Sequence, residues 1–556
     1  MTEEDPYTLG EGDHHAFWAD EVADRIEARR ERIGSDGPVV IKGGVSPSGV
    51  PHLGHANELM RGYFVAEVLR ERGHEVRQVF TSDDRDPLRK IPRTLADREW
   101  NVMDLGDVPN PGVLGRNLGK PLTDIPDPFE CCDSFGDHQT HLLESMTEQL
   151  GIDVGIRSTT ALYETGEFDD VTRELLDEHE HAHELLGEYQ ASVRDADEYV
   201  PFNPICAECG KLTETVTAID GERVAYRCTD FEAGNQLIEG CGHEGTATVR
   251  EGKLPWRFEW PAQWRVLTVD FEPFGKDHAE GSWPSGEAIA QELLDFAPPT
   301  PMVYEWFTLN GEPLSSSSGH IITVAELLDL LEREVLHYYF TKNPARARDF
   351  DVSQLDQLVD EFDRFEGLAF GVSTTGSDEK IEEERAHAER VYPLVVDEVS
   401  DEQPIRIPYT FAAVLGMTDD RELRERMARR EGHILEGASE SAVESALERV
   451  NRARRWAERT DNAYNYRLAT DLPDVGFEGD TEAALDELAA FVAAGHGGEE
   501  IQSEIFETAR AHDLDPGDLF TAGYRLFFDT EQGPKLGPFL AELDREFVVR
   551  RLRREG

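Results

Sequence analysis

Lysine is scarce in this chain. Of 55 basic residues among 556 only nine are lysine, against 114 Asp and Glu, for a formal net charge of −59. No apolar run reaches the roughly 18–20 residues a spanning helix needs, so no membrane segment is expected. The opening MTEEDPYTLG has no charged-then-apolar leader. Cysteine is also sparse, six in all, and the expectation is a cytoplasmic protein with reduced thiols. What is present excludes a solvating acidic tail: 39% of residues are hydrophobic, with eight Trp and 27 Phe. The acid is spread along the whole chain, which fits molar salt, where a Debye length of about 3 Å screens self-repulsion.

Several domains are expected at this length. An amphipathic helix (14–33) leads into PVVIKGGVSPSGVPHLGH, an apolar strand, a Gly/Pro/Ser turn and a helix from about His55. EVRQVFTSDD repeats the strand pattern and delivers Asp83 and Asp84 to a strand end. VLTVDFEPFGKDH is a later apolar strand ending in Gly275, Lys276, Asp277 and His278. The parallel sheet is therefore split around an insertion. The last third reads as helices alone, and no internal repeat is visible. The divisions are 1–155 and 256–322 for the two halves of an α/β Rossmann-type domain, 156–255 for the insertion, 323–380 for a helical region and 381–556 for an all-α domain.

Pro51-His52-Leu53-Gly54-His55 is the sharpest motif. Gly54 admits a nucleotide, two imidazoles can donate to phosphate oxygens, and a helix N-terminus adds a dipole favourable to anions. Cys206-x2-Cys209, Cys228 and Cys241 are four thiols spaced as in a tetrahedral zinc ribbon, with His243 competing with Cys241 for the fourth place. Asp127, Cys131, Cys132 and His138 make a second candidate cluster. Arg452, Arg454, Arg455 and Arg459, and Arg550, Arg551, Arg553 and Arg554, are basic clusters in an acidic chain, either phosphate contacts or salt-bridged helix surface.

HLGH after a first strand resembles the His-Ile-Gly-His signature of class I aminoacyl-tRNA synthetases. SGVPHLGHANELMRGYFVAEVLRERGHEVRQVF, GKDH and PLSSSSG follow in that family's order, and nearly the whole chain resembles the archaeal-type class I lysyl-tRNA synthetases. The resemblance implies a split Rossmann-type catalytic domain with a zinc-binding insertion, then an α-helical anticodon-binding domain. It implies ATP-dependent activation of L-lysine, with Mg2+, and transfer to tRNA(Lys). His52, Gly54, His55, Ser46 and Ser48 would then bind ATP, with Gly275 and Asp277 on the ribose and adenine side. Glu58 would be the specificity acid for lysine, with Gly44, Trp260, Trp264, Tyr304 and His278 around it. It points to His243 as fourth ligand of the first zinc site, and to a second zinc site at Asp127, Cys131, Cys132 and His138, both structural.

The second signature loop departs from the pattern. The family's Lys-Met-Ser-Lys-Ser corresponds here to Pro313-Leu314-Ser315-Ser316-Ser317-Ser318-Gly319, and both lysines are missing. Hydroxyls and backbone N–H groups of Ser315, Ser316, Ser317 and Ser318 remain for phosphate. Lys276, Arg89 and Lys90 are candidate replacement cations. Two rivals stand beside the lysine reading: a glutamyl- or glutaminyl-type synthetase, and a catalytically silent tRNA-binding paralogue. An acid at Glu58 favours a cationic substrate. The sequence carries no signal for oligomeric state.

Overall fold

A computed structural model describes residues 7, 9, 15–191, 199–221, 223–233, 236–314, 319–372 and 378–555. The chain divides into two compact units, Met1–Leu327 with His337–Phe350, and Leu328–Leu336 with Asp351–Gly556. Residues 337–350 belong to the first because Arg348–Phe350 pairs in parallel with Phe307–Leu309.

The first unit is built on five parallel strands: β1 (Val39–Val45), β2 (Val76–Ser82), β3 (Gly155–Ser158), β4 (Phe271–Gly275) and β5 (Thr300–Tyr304). Their spatial order is β3-β2-β1-β4-β5, with Val39 opposite Val76, Val79 opposite Gly155, Ile41 opposite Phe271 and Phe271 opposite Thr300. This is the doubly wound α/β order, and β1 and β4 flank the point where the winding reverses and ligands bind. Val39 to Lys42 and all of β4 are buried, as parallel strands covered on both faces must be.

Helix α1 (Trp18–Ile33) ends at Gly34, whose φ of 67° permits the left-handed cap. Two of its arginines, Arg29 and Arg30, reach Asp270 just before β4, at 3.0 and 2.5 Å. Helix α2 (Leu53–Glu71) joins β1 to β2 and buries Leu53, Ala56, Leu59, Met60, Phe64, Val65, Val68 and Leu69. That spread over every side marks a core helix. Between β3 and β4 lie three short helices over 159–189 and an antiparallel sheet with Arg223–Arg227 between Val216–Asp220 and Glu244–Thr248. Helix α3 (Trp256–Leu267) then leads back to β4.

Among the described residues the second unit contains helices and no strand. They include Leu355–Ala369, Glu440–Thr460 and Pro516–Phe528. Its interior holds charge as well as apolar side chains: the buried Arg449 meets Glu332 at 2.6 Å and Asp363 at 2.6 Å. No helix among the described residues is long and apolar enough to cross a membrane.

Candidate active site and metal clusters

The HLGH segment folds onto its own helix. His52 is the N-cap of α2, and its Nδ1 accepts from the Gly54 N–H at 3.0 Å. His55 reciprocates, its Nδ1 accepting from the His52 N–H at 3.1 Å. The rings stack with centroids 4.1 Å apart. A Cβ on Gly54 would stand 2.7 Å from His52 Cε1, so the turn closes only with glycine. With both Nδ1 atoms accepting, each proton sits on Nε2, and both imidazoles are donors toward whatever occupies the crevice. Burial drives His52 well below its ordinary value, helped by His55, and burial lowers His55 to about 4. The imidazole pair is therefore neutral, with two Nε2–H donors and no positive charge.

Glu58 lies one turn further along α2. Its Oε1 accepts from the Gly44 N–H at 2.8 Å and its Oε2 from the Tyr304 hydroxyl at 2.9 Å. A side chain on Gly43 would run into Glu58 Oε1 at 2.7 Å, so the glycine pair opens β1 for the carboxylate. Burial raises Glu58 to about 7, with the charge of Glu272 adding, against the hydrogen bonds from Gly44 and Tyr304. It is an acid supplied only with neutral donors. At the end of β4 Asp277 folds back over Gly275, where a Cβ would meet Oδ1 at 2.6 Å. His278 lies beside Trp260, centroids 5.2 Å apart at a steep angle.

Trp260 and Trp264 are buried, and both indole N–H groups donate to Glu272, at 3.0 and 2.5 Å. Trp264 is sealed in the core with Trp283 and Phe274. Sequence reasoning missed Glu272 and its partner Lys42. The one available signal was a lysine inside the apolar run VVIKGGV. It also missed the buried group where Gln263 donates to Asp83 at 3.0 Å and Lys253 pairs with Asp86 and Glu259.

Ser46 and Ser48, which follow β1, line a cavity of about 410 Å³ together with Asp86, Arg89, Lys90, Lys253 and Trp256. Three cations to one acid reverses the balance of the whole chain. Lys276 instead pairs with Glu305. Ser315, Ser316, Ser317 and Ser318 lie outside the described residues. Next to them, the Leu53 N–H of α2 donates to the Ile322 carbonyl at 3.0 Å, tying this stretch to the HLGH helix.

The sulfurs of Cys206 and Cys241 are 3.6 Å apart and those of Cys209 and Cys228 3.7 Å, and all four thiols lie within 4.8 Å of one another. The fourth member is Cys241 and not the His243 the resemblance pointed to. The His243 carbonyl accepts from the Cys228 N–H at 2.8 Å, and its ring lies against Tyr226. The strand Glu244–Thr248 starts one residue later. Asp127, Cys131, Cys132 and His138 also converge, with Cys131 Sγ 3.4 Å and Asp127 Oδ1 3.5 Å from His138 Nδ1. His138 Nε2 donates to the Ala96 carbonyl at 2.9 Å, which leaves Nδ1 facing the Cys131 thiol and Asp127. Burial would raise Asp127, but His138 and the N–H groups of Phe129 and Cys131 outweigh it and hold the carboxyl down to about 2.

Several arginines read as phosphate contacts are engaged internally. Arg454 pairs with Asp419 and Glu458, Arg455 with Asp329 and Arg554 with Asp486. Arg551 donates to the carbonyls of Ala469, Thr470 and Asp471. Arg550 and Arg553 are exposed.

The family described as "tRNA synthetases class I (K)" matches residues 16–397. The chain is 63% identical to the Lysine--tRNA ligase of Natronomonas pharaonis, covering 99% of this chain and 100% of that protein. The same identity holds for the Lysine--tRNA ligase of Haloarcula marismortui, over 99% of each. Among solved structures a glutamate-tRNA synthetase from Elizabethkingia anophelis aligns at a TM-score of 0.40 and 11% identity, covering 93% of this chain and 99% of that one. The fold assignment rests on the strand order and not on that loose likeness. The sheet, the imidazole-capped helix at its switch point and identity along the full length lead to one statement: the chain belongs to the class I aminoacyl-tRNA synthetases of the archaeal lysyl type.

Proposed function

We propose that this chain joins L-lysine to ATP, taken as its Mg2+ complex, to give lysyl-adenylate, and transfers the lysyl group to tRNA(Lys). The observation that carries the substrate is Glu58, a part-buried carboxylate met by the Gly44 N–H and the Tyr304 hydroxyl beside the HLGH turn. Such an acid recovers its desolvation cost when an ammonium arrives. Trp260 and His278 offer ring surface for the methylene stem. His52 and His55 donate Nε2–H to phosphate oxygens as charge builds at the α-phosphorus, with Gly54 leaving room. Ser46, Ser48, Gly275 and Asp277 complete the nucleotide side. Arg89 and Lys90, on the cavity that Ser46 and Ser48 line, stand in for the missing loop lysines.

Both metal clusters suit structural zinc. A tetrahedron with Zn–S bonds of about 2.3 Å has edges of about 3.8 Å, close to the sulfur spacings of the Cys206 cluster. Each cluster offers four protein ligands and no open position. Metal analysis of purified protein is expected to give two zinc ions per chain, and a metal-free, fully active preparation would overturn this. The helical C-terminal region is read as the anticodon-binding part and the cytoplasm, where tRNA is charged, as the place of work.

ATP–pyrophosphate exchange with each amino acid, with and without tRNA in molar KCl, tests the function. Exchange with lysine is expected. Exchange with glutamate alone would make the chain a glutamyl-type enzyme, and none with any amino acid would make it a silent tRNA binder. Glu58→Gln is expected to raise the KM for lysine about 10- to 100-fold, the loss of a charged hydrogen bond, and that for ATP less than about twofold. Equal effects on both would remove Glu58 from recognition.

A further inference from the structure

Lys42 has no part in the roles assigned so far. It sits in β1 with its side chain 1% exposed and its Nζ 2.8 Å from Glu272 Oε1, itself 3% exposed. Ile41 pairs with Phe271, so Lys42 and Glu272 are neighbours on one face of adjacent strands. The same carboxylate accepts from the Trp260 indole at 3.0 Å and the Trp264 indole at 2.5 Å. One acid thus fixes two indoles and one ammonium. Ion pairs sealed this deeply are often replaceable by apolar side chains without loss of stability, so packing alone does not account for this one.

Glu58 approaches the same place from the α2 side. A Cβ on Gly43 would stand 2.7 Å from Glu58 Oε1, and one on Gly44 would stand 3.4 Å from Lys42 Nζ. Positions 43 and 44 of β1 thus carry no side chain where the strand of Lys42 passes Glu58, whose Oε1 takes the Gly44 N–H. Glu272 therefore has the ammonium of Lys42, while Glu58 has only the Gly44 N–H and the Tyr304 hydroxyl.

We propose that Lys42 and Glu272 are a positioning pair for the substrate side chain: Glu272 holds the Trp260 and Trp264 indoles, and Lys42 satisfies Glu272 so that Glu58 is the acid left for the incoming ammonium. This rests on the reading of Glu58 as the lysine-recognition acid. The charge of Glu272 favours the protonated form of Glu58 and that of Lys42 opposes it. The other titratable groups around Glu58 are Tyr304 from β5 and His55 from its own helix, with Asp277 and Arg61 acting on Tyr304. All four stay unchanged in the test.

The experiment measures KM for lysine and for ATP across pH by pyrophosphate exchange, in wild type, Lys42→Met, Lys42→Arg and Glu272→Gln. Lys42→Met is expected to raise the lysine KM about tenfold with the ATP KM within about twofold. It also moves the pH at which lysine KM begins to rise upward, Glu272→Gln moves it downward, and Lys42→Arg returns it toward wild type. A purely structural pair would lower the melting temperature and leave that pH in place, so an unmoved midpoint in both Lys42→Met and Glu272→Gln overturns the proposal. Should Lys42→Met fail to fold, the volume-matched Glu272→Gln decides alone, a downward shift supporting the pair and no shift overturning it. If Glu58→Gln leaves the lysine KM unchanged, the reading beneath the proposal fails first. Unmoved midpoints beside an intact Glu58 effect defeat only the pair.

Discussion

In the C-terminal unit buried carboxylates are met by guanidinium groups, whereas at the switch point of the first unit Glu58 and Asp83 are met by neutral donors. Glu332 and Asp363 close on Arg449, and Glu366 on Arg406 at 2.9 Å. Burial would raise Glu332, but the charge and hydrogen bond of Arg449 overcome it and hold the carboxyl below the usual range. Glu58 and Asp83 are shifted upward by burial, reinforced at Glu58 by Glu272 and at Asp83 by Glu259 and Asp86. A buried acid already matched by arginine is part of the framework. One left with amide and hydroxyl donors is poised to accept a cation.

The largest effect this contrast predicts is on stability. Arg449→Leu strands Glu332 and Asp363 and is expected to cost the C-terminal unit about 3–5 kcal/mol, read as an earlier denaturant midpoint in molar KCl. An unchanged midpoint would break the contrast at its structural end. At the functional end, His52→Ala removes a donor and a cap together, and the exchange rate is expected to fall about 10²- to 10³-fold with little change in lysine KM. The smallest effect is the most specific. A carboxylate pairs with an ammonium only when ionised, and the raised value of about 7 means that Glu58 is ionised above that pH and protonated below. The lysine KM is therefore expected to be flat above pH 7 and to climb by up to about tenfold per unit below it. A flat profile down to pH 5 would show that Glu58 is charged throughout and sharpen the contrast against it.

The strand, turn and helix around HLGH were legible because they are local: an apolar strand, a Gly/Pro turn and HxGH lie within one run of sequence. The thiol cluster was legible in its spacing, but the choice between Cys241 and His243 was not. Two residues separate them, and only the fold shows the Cys241 thiol among the other three sulfurs and the His243 ring against Tyr226. Lys42 and Glu272 are 230 residues apart, so no window of sequence contains the pair. Arg454 and Arg455 illustrate the converse, since arginines on an acidic helix look free until Asp419 and Asp329 arrive from distant segments.

Other helices of the chain are capped by serine or aspartate: Ser134, Asp420, Ser439 and Asp515 each accept from the first turn. In α2, by contrast, the two imidazoles of the HLGH turn take that task themselves. Replacing either histidine would therefore remove a cap of a core helix and an Nε2–H donor in one step.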